Sequence, residues 1–340
     1  MFARLVLATP IREGGSRAGL ELNNVFMKVS TYPELALPPR SRPVVTLGNF
    51  DGVHLGHQSI MAELGARSQA LEALSIVVTF EPHPISVLRP ESAPQRIQTP
   101  EQKQETLARI GIEELIVVPF TPKFSRLEPQ EFVRSVIVDK LRAAELVLGH
   151  NFRFGHGRAG DLNTLRSFGQ KYGFVVHEVS PATAGEEMIS SSRIRRVLGD
   201  GEVERAGSML GRSYFVDGCV IKGDGRGRLI GFHTANLELT GSLLVNDGVY
   251  VTSVRVGDDV HQGMSHVGRR PTFGLDSHTV ETHLFGFSEE IYGEWLRLYF
   301  HERIRGTVRF GGPEELKQQL DSDRERALEF FRDRGRNLVL

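Results

Sequence analysis

Between residues 44 and 180 the chain alternates short apolar runs rich in β-branched residues with longer stretches of helical spacing, and this alternation narrows the fold most. Runs at 44–47, 76–80, 115–118, 146–148 and 174–179 read as strands, and stretches at 57–74, 101–110, 129–141 and 164–172 read as helices. Ile60, Met61, Leu64, Leu71 and Leu74 give the first helix one apolar face. Near-continuous apolar strands separated by helices predict a parallel sheet covered on both sides. Such sheets bind ligands beyond the C-terminal ends of their strands. Segments 49–52, 81–84 and 149–154 fall there.

The character then changes. Ser190 is an N-cap candidate for a short helix over 191–198, closed by Gly199-Asp200-Gly201, and a second short helix is expected over 202–210. From Tyr214 short strands dominate, at 214–221, 248–256, 278–287 and 295–304, with turn signals at Asp224-Gly225 and Asp247-Gly248. This predicts an antiparallel barrel or sandwich. A helix from Pro313 to about Arg332 follows, with proline in its first turn.

A length of 340 residues favours two domains. The expected boundaries are a disordered extension over 1–26, an α/β domain over 27–186, a helical linker over 187–206 and a β domain over 207–340. Residues 2–8 are apolar but short, carry Arg4 and give way to a polar stretch, which makes a poor signal peptide. Met27 precedes patterned sequence and is a candidate translation start; mass spectrometry finding residues upstream of it in the native protein would exclude that. A net charge of -1 argues against a nucleic-acid partner. No apolar run approaches bilayer-spanning length, which argues against a membrane partner. Cys219 is the single cysteine, so neither an intrachain disulfide nor a cysteine metal cluster is available, in keeping with a reducing, cytoplasmic setting.

The stretch from Val44 to His57 joins a strand, a turn holding Gly48, Asn49, Phe50, Asp51 and Gly52, and a helix start with His54 and His57. Helix-start amides have no partner within the helix and favour anions, and residues three apart share a helical face. Three readings are open for the two histidines. They are ordinary polar residues beside a turn, hydrogen-bond donors to nucleotide phosphates, or half of a zinc site that lacks further ligands at suitable spacing. Pro82, His83 and Pro84 read either as a stiff loop or as a wall for a flat ring. Asn151 and Phe154 lie in a Phe-and-Arg-rich segment suited either to the core or to an aromatic ligand. Ser190, Ser191 and Ser192 with Arg193 and Arg195 read as a helix cap or as a phosphate clamp.

His-Leu-Gly-His after a strand and turn resembles the HxGH signature of nucleotidyltransferases and class I synthetases. Gly48–His57, Thr79–Pro84, Gly149–Gly155 and Ile189–Arg195 resemble, in order, four motifs of the prokaryotic bifunctional riboflavin kinase/FAD synthetases. In the second half, Gly231-Phe232-His233-Thr234-Ala235-Asn236 is similar to that family's kinase signature, with His233 in place of proline. Asn151 and Ser192 stand where relatives more often have Asp and Thr.

The resemblance implies a Rossmann-like nucleotidyltransferase domain followed by a six-stranded antiparallel barrel and a C-terminal helix. It implies riboflavin, FMN and ATP as substrates and Mg²⁺ as the metal. His54, His57 and Arg195 would act on the phosphates of adenylyl transfer, beside Gly48, Asn49, Phe50, Asp51, Gly52 and Ser190–Ser192. Pro82, His83, Pro84, Asn151 and Phe154 would meet the flavin there. In the barrel, Lys222, Gly223, Gly225, Gly227 and Gly231 would bind ATP, Thr234 and Asn236 would hold ATP and Mg²⁺, and Glu281 would be the base. An adenylyltransferase whose impaired barrel only binds flavin for regulation is the alternative, motivated by His233. A homo-oligomer is left open.

Overall fold

The structure, a computed structural model, describes residues 27–34, 37, 41–223, 231–272, 275–334 and 340, with the backbone alone for 269–272 and 275–278. The extension over 1–26, Gly225 and Gly227 lie outside the described residues. Two compact units make up the chain. The first runs to Pro94 and from Pro100 to Thr183; the second takes Gln95–Thr99 and everything from Ala184.

The first unit is built on a parallel sheet of six strands: β1 (Lys28–Thr31), β2 (Val44–Leu47), β3 (Ser75–Glu81), β4 (Glu114–Pro119), β5 (Glu145–Gly149) and β6 (Val175–Val179). Their order is β1-β4-β3-β2-β5-β6. The chain therefore steps outward from β2 through β3 to β4, then returns to place β5 on the other side of β2. The strand order reverses between β2 and β5, and the crevice beyond their C-terminal ends is where a sheet of this kind binds ligands. Its helices are α1 (Leu55–Ala70), α2 (Pro84–Leu88), α3 (Pro100–Arg109), α4 (Pro129–Phe132) and α5 (Leu162–Tyr172).

β2 is buried along its whole length, as a central strand covered on both faces requires. Its alternate residues serve two cores: Val45 and Leu47 join one with Ile76, Val78, Ile116 and Leu146, while Val44 joins the other with Leu64, Val77, Leu107 and Val147. At the opposite end of the sheet from the crevice, Arg67 of α1 grips Glu145 through two hydrogen bonds of 2.7 Å, and His177 of β6 approaches the same carboxylate at 2.9 Å.

Three details differ from the sequence expectation. Met61 and Leu64 carry the buried face of α1, but Leu71 caps its end and is 44% exposed, because the helix stops at Ala70. The expected helix over 129–141 is one α-helical turn, α4, followed by π-helical winding over Val133–Lys140, with the Leu141 N–H donating to the Val136 carbonyl at 2.9 Å. This run is rich in β-branched side chains, which crowd an α-helical turn, and the wider winding buries Val133, Val136 and Ile137 together. β1 was not expected: Lys28-Val29-Ser30-Thr31 has little apolar pattern, and its pairing with β4 defines it.

A two-residue ribbon, β7 (Thr183–Ala184) and β8 (Glu187–Met188), precedes α6 (Ser191–Gly199) and α7 (Val203–Leu210), and both helices belong to the second unit. That unit is a closed antiparallel barrel of β9 (Tyr214–Ile221), β10 (Ala235–Leu239), β11 (Gly248–Val256), β12 (Asp259–Thr272), β13 (Leu275–Leu284) and β14 (Trp295–Arg305), ordered β10-β13-β12-β11-β14-β9. Closure removes the exposed edges of an open sheet. β10 and the long β12 were absent from the sequence reading, and β13 starts and ends three residues earlier than expected.

Helix α8 (Pro313–Arg334) packs Ala327, Phe330 and Phe331 onto Phe232, Val251 and Met264. Asp323 of α8 is buried and receives both arms of the Arg305 guanidinium at 2.8–3.0 Å. Inside the barrel, the hydroxyls of Thr252, Ser265 and Thr282 form a buried chain with 2.8 Å links, so these polar groups satisfy one another.

Candidate active sites

In the first unit the turn after β2 carries the motif. Its course is forced: Phe50, Gly52 and Val53 all have positive φ, at 49°, 83° and 38°. A β-branched residue such as Val53 in that region is strained, and such strain persists only where the surroundings hold it. Burial does so here, since Phe50 and Val53 are core residues. Phe50 was expected at the phosphates; its ring is instead packed inward over Gly48, and only its backbone contributes to the turn.

His54 is the N-cap of α1. Its Nδ1 accepts the His57 N–H at 3.3 Å, so the ring is neutral with its proton on Nε2. The two imidazoles stack, with centroids 3.6 Å apart at 18°, and the Phe50 ring meets His57 edge-on at 5.2 Å. Gly56 makes the fold-back possible: a Cβ there would sit 3.2–3.3 Å from the His54 ring. His57 Nδ1 is buried without a hydrogen-bond partner. A buried lone pair costs less than a buried N–H, so the proton belongs on Nε2. Burial, then the neighbouring His54 and Lys103, push the His57 pKa well below its ordinary value. Both rings are therefore neutral donors at the positive end of a helix, suited to oxygens that gain negative charge.

The second motif adjoins the first. Asn49 Nδ2 lies 3.1 Å from His83 Nε2, and His83 Nδ1 accepts the Ile85 N–H at 3.2 Å as the N-cap of α2, with Pro84 in the first turn. Pro82 is exposed beside them. In the third motif, Asn151 is exposed in the turn after β5, near Gly149. Phe154, expected at the flavin, is a core residue: its ring is packed on Phe132 and lies against Gly160, where no side chain intervenes. Lys103 escaped the sequence reading altogether. It is buried on α3, and its ammonium donates to Thr79 Oγ1 at 3.0 Å and to the Asn49 carbonyl at 3.2 Å. Its one signal was its position four residues before Leu107, on the helix's inward face.

The fourth motif is carried by the second unit. Ser190 Oγ accepts the Arg193 N–H at 3.2 Å as the N-cap of α6. Ser191 is half-buried and Ser192 exposed. Arg193 pairs with Glu187, and Arg195 Nε donates to the Gln95 carbonyl at 2.6 Å.

The barrel brings its expected residues together through strand register. Asn236 of β10 stands opposite Glu281 of β13, and Glu281 stands opposite His266 of β12. Glu281 is half-buried on the face opposite the inward Thr282. Asn236 lies against Gly223, where any Cβ would collide with its carboxamide, so that glycine makes room for it; Lys222 is exposed alongside. Gly231, with a φ of 87°, opens the segment leading to half-buried Thr234. His233 is exposed, and its carbonyl is 2.7 Å from His283 Nδ1, a bond that restrains the loop where the family signature has proline. His266 is a further residue that sequence reasoning missed. Burial lowers its pKa and the Glu281 charge acts in the opposite direction.

The oxygens of Thr234 and Asn236 fit Mg²⁺, which keeps waters and is bound largely by substrate phosphates. Among the described residues no three His, Cys, Asp or Glu side chains come together as a metal cluster, so the protein would supply only part of the shell.

Comparison with known proteins decides the family. Residues 38–193 match the family described as FAD synthetase and residues 210–331 that described as Riboflavin kinase. The "Bifunctional riboflavin kinase/FMN adenylyltransferase" of Escherichia coli K12 is 34% identical over 298 residues, covering 87% of this chain and 95% of its own. The protein so named from Bacillus subtilis 168 is 36% identical over 311 residues, covering 88% and 96%. The chain belongs to the bifunctional riboflavin kinase/FMN adenylyltransferase family. A solved structure from Streptococcus pneumoniae, titled "Macrolide-efflux Protein", is similar with a TM-score of 0.79 and 32% identity, covering 86% of this chain and 95% of that one. No helix among the described residues of this family member is long and apolar enough to cross a membrane.

Proposed function

We propose that the chain converts riboflavin to FMN in its barrel and FMN to FAD in its nucleotidyltransferase region, using ATP in both steps. In the first, the terminal hydroxyl of riboflavin forms a bond to the ATP γ-phosphorus, the β–γ bridging bond breaks, and ADP leaves. Glu281 accepts the hydroxyl proton, which an alcohol must lose as it becomes a nucleophile. Thr234 and Asn236 orient the phosphates together with Lys222, Gly223 and Gly231. The oxygens of Thr234 and Asn236 would hold Mg²⁺ together with ATP, and the ion would supply charge neutralisation at the phosphates.

In the second step an FMN phosphate oxygen attacks the ATP α-phosphorus, the α–β bridging bond breaks, and pyrophosphate leaves. No enzyme nucleophile is needed. The Nε2–H groups of His54 and His57 donate to the transferring phosphates, Arg195 adds a fixed positive charge, and the flavin lies against Pro82, His83, Pro84 and Asn151. Catalysis is then positioning and electrostatics. The observation that most supports this reading is the stacked, neutral His54–His57 pair at the helix start beyond β2, in a chain that also aligns Asn236 with Glu281.

Paired variants test it. Glu281→Ala is expected to abolish FMN formation and leave adenylylation of supplied FMN intact, and His57→Ala to do the reverse. A folded variant that loses both activities together would contradict two separate sites.

A further inference from the structure

Among the described residues, Lys103 is a buried cation with no part in the chemistry proposed for either step. Lys103 is 9% exposed, and a charged ammonium is rarely buried without compensation. Its ammonium reaches two separate segments: the Asn49 carbonyl in the turn after β2 and the Thr79 hydroxyl on β3. Thr79 Oγ1 is itself 3.3 Å from the Asn49 carbonyl, so three groups meet where the chain leaves β2 for the strained turn. Asn49 in turn reaches His83 through its side chain. An amphipathic helix needs only an apolar residue on its inward face here, one turn before Leu107, so a hydrophobic replacement would serve the core equally well.

We propose that Lys103 is a positioning residue for adenylyl transfer, tying the end of β2 to β3 and bringing a permanent positive charge into the phosphate cradle. This rests on the proposed role of His57. The Asn49 carbonyl is held by an ionic donor, which makes the bond stronger than a neutral one. The groups that act on His57 are the stacked His54, the edge-on Phe50 ring and the Lys103 ammonium. With Lys103 in place the His57 imidazole resists protonation and meets the phosphates as a neutral donor. Without that charge His57 takes up a proton at higher pH.

The full-length protein tests this through FAD formation from FMN and ATP, measured across pH, with FMN formation from riboflavin as an internal control. Lys103→Met is expected to lower adenylylation by about 100-fold, as a displaced cradle can, and to move the acid limb of its pH profile upward, with the kinase rate unchanged. Titration of His57 by NMR in the same variant shifts in the same direction. Lys103→Arg, which keeps the charge, restores the acid limb. Thr79→Val, which removes one acceptor but no charge, lowers the rate and leaves the acid limb in place. Should Lys103→Met fail to fold, the last two variants decide the matter. A wild-type rate and profile in Lys103→Met, or a loss of rate with no movement of the acid limb or of the His57 titration, overturns the proposal. If His57→Ala retains adenylylation, the underlying reading of the site fails instead.

Discussion

Acidification should destabilise the barrel through one histidine. His301 on β14 is 4% exposed, between Ser213 Oγ at 3.2 Å from Nδ1 and Ser253 Oγ at 2.8 Å from Nε2, and its ring stacks on Phe330 of α8. Burial pushes its pKa from 6.5 down to about 4. A group whose basic form is favoured by folding stabilises the protein fully above its unfolded pKa, and that stability is lost as pH falls toward the folded value. Integrating between the two states, His301 costs about 2 kcal/mol on going from about pH 7.5 to about pH 5, and about 3 kcal/mol once pH is below both values. Urea unfolding of the full chain, followed by Trp295 in the same strand, measures it; this is the single tryptophan of the sequence. The other buried histidines titrate in the wild type and in His301→Gln alike, so the difference between the two isolates His301. The variant should be less stable near neutrality and its stability should depend less on pH, by about 2 kcal/mol over that interval. Equal pH dependence in the two proteins would refute the reasoning.

Gly56→Ala places a methyl against the His54 ring and should reduce adenylylation by about tenfold or more, with the kinase rate unchanged, as measured by separate product assays. His283→Phe removes the bond to the His233 carbonyl and should raise the KM for ATP in the kinase step by up to about tenfold, the equivalent of one lost hydrogen bond; His283→Asn, which keeps a donor, should recover part of it. Asp323→Ala strands the half of a buried ion pair that Arg305 contributes, and should lower unfolding free energy by about 3–5 kcal/mol in denaturant titrations.

The parallel sheet was legible because β2 through β5 bury residues on both faces and so read as continuous apolar runs separated by helical spacing, while the partly exposed edge strand β6 keeps the short apolar pair Val175-Val176. The edge strand β1 and the polar, glycine-containing β12 were not legible, since neighbouring strands define them rather than their own residues. The histidine pair was visible in the spacing of His54, Gly56 and His57, but its stacking depends on the N-cap bond and on the space that Gly56 leaves. Phe50 and Phe154 turn their rings into the core, which was not legible because an aromatic beside a glycine looks the same in sequence whether its ring faces outward or inward. Lys103 was invisible for the opposite reason: a lysine in a helix with several charged neighbours reads as solvated, and only the packing of α3 buries it. The cross-strand row of Asn236, Glu281 and His266 could not be read without the register of three strands that are far apart in sequence.

The central claim is that one chain makes FMN and then FAD. Purified full-length protein incubated with riboflavin, ATP and Mg²⁺, with the flavins separated over time, tests it most directly. FMN should appear first and FAD after it, with ADP and pyrophosphate as co-products. FAD from supplied FMN but no FMN from riboflavin, or no conversion of either flavin by a folded protein, would contradict the account.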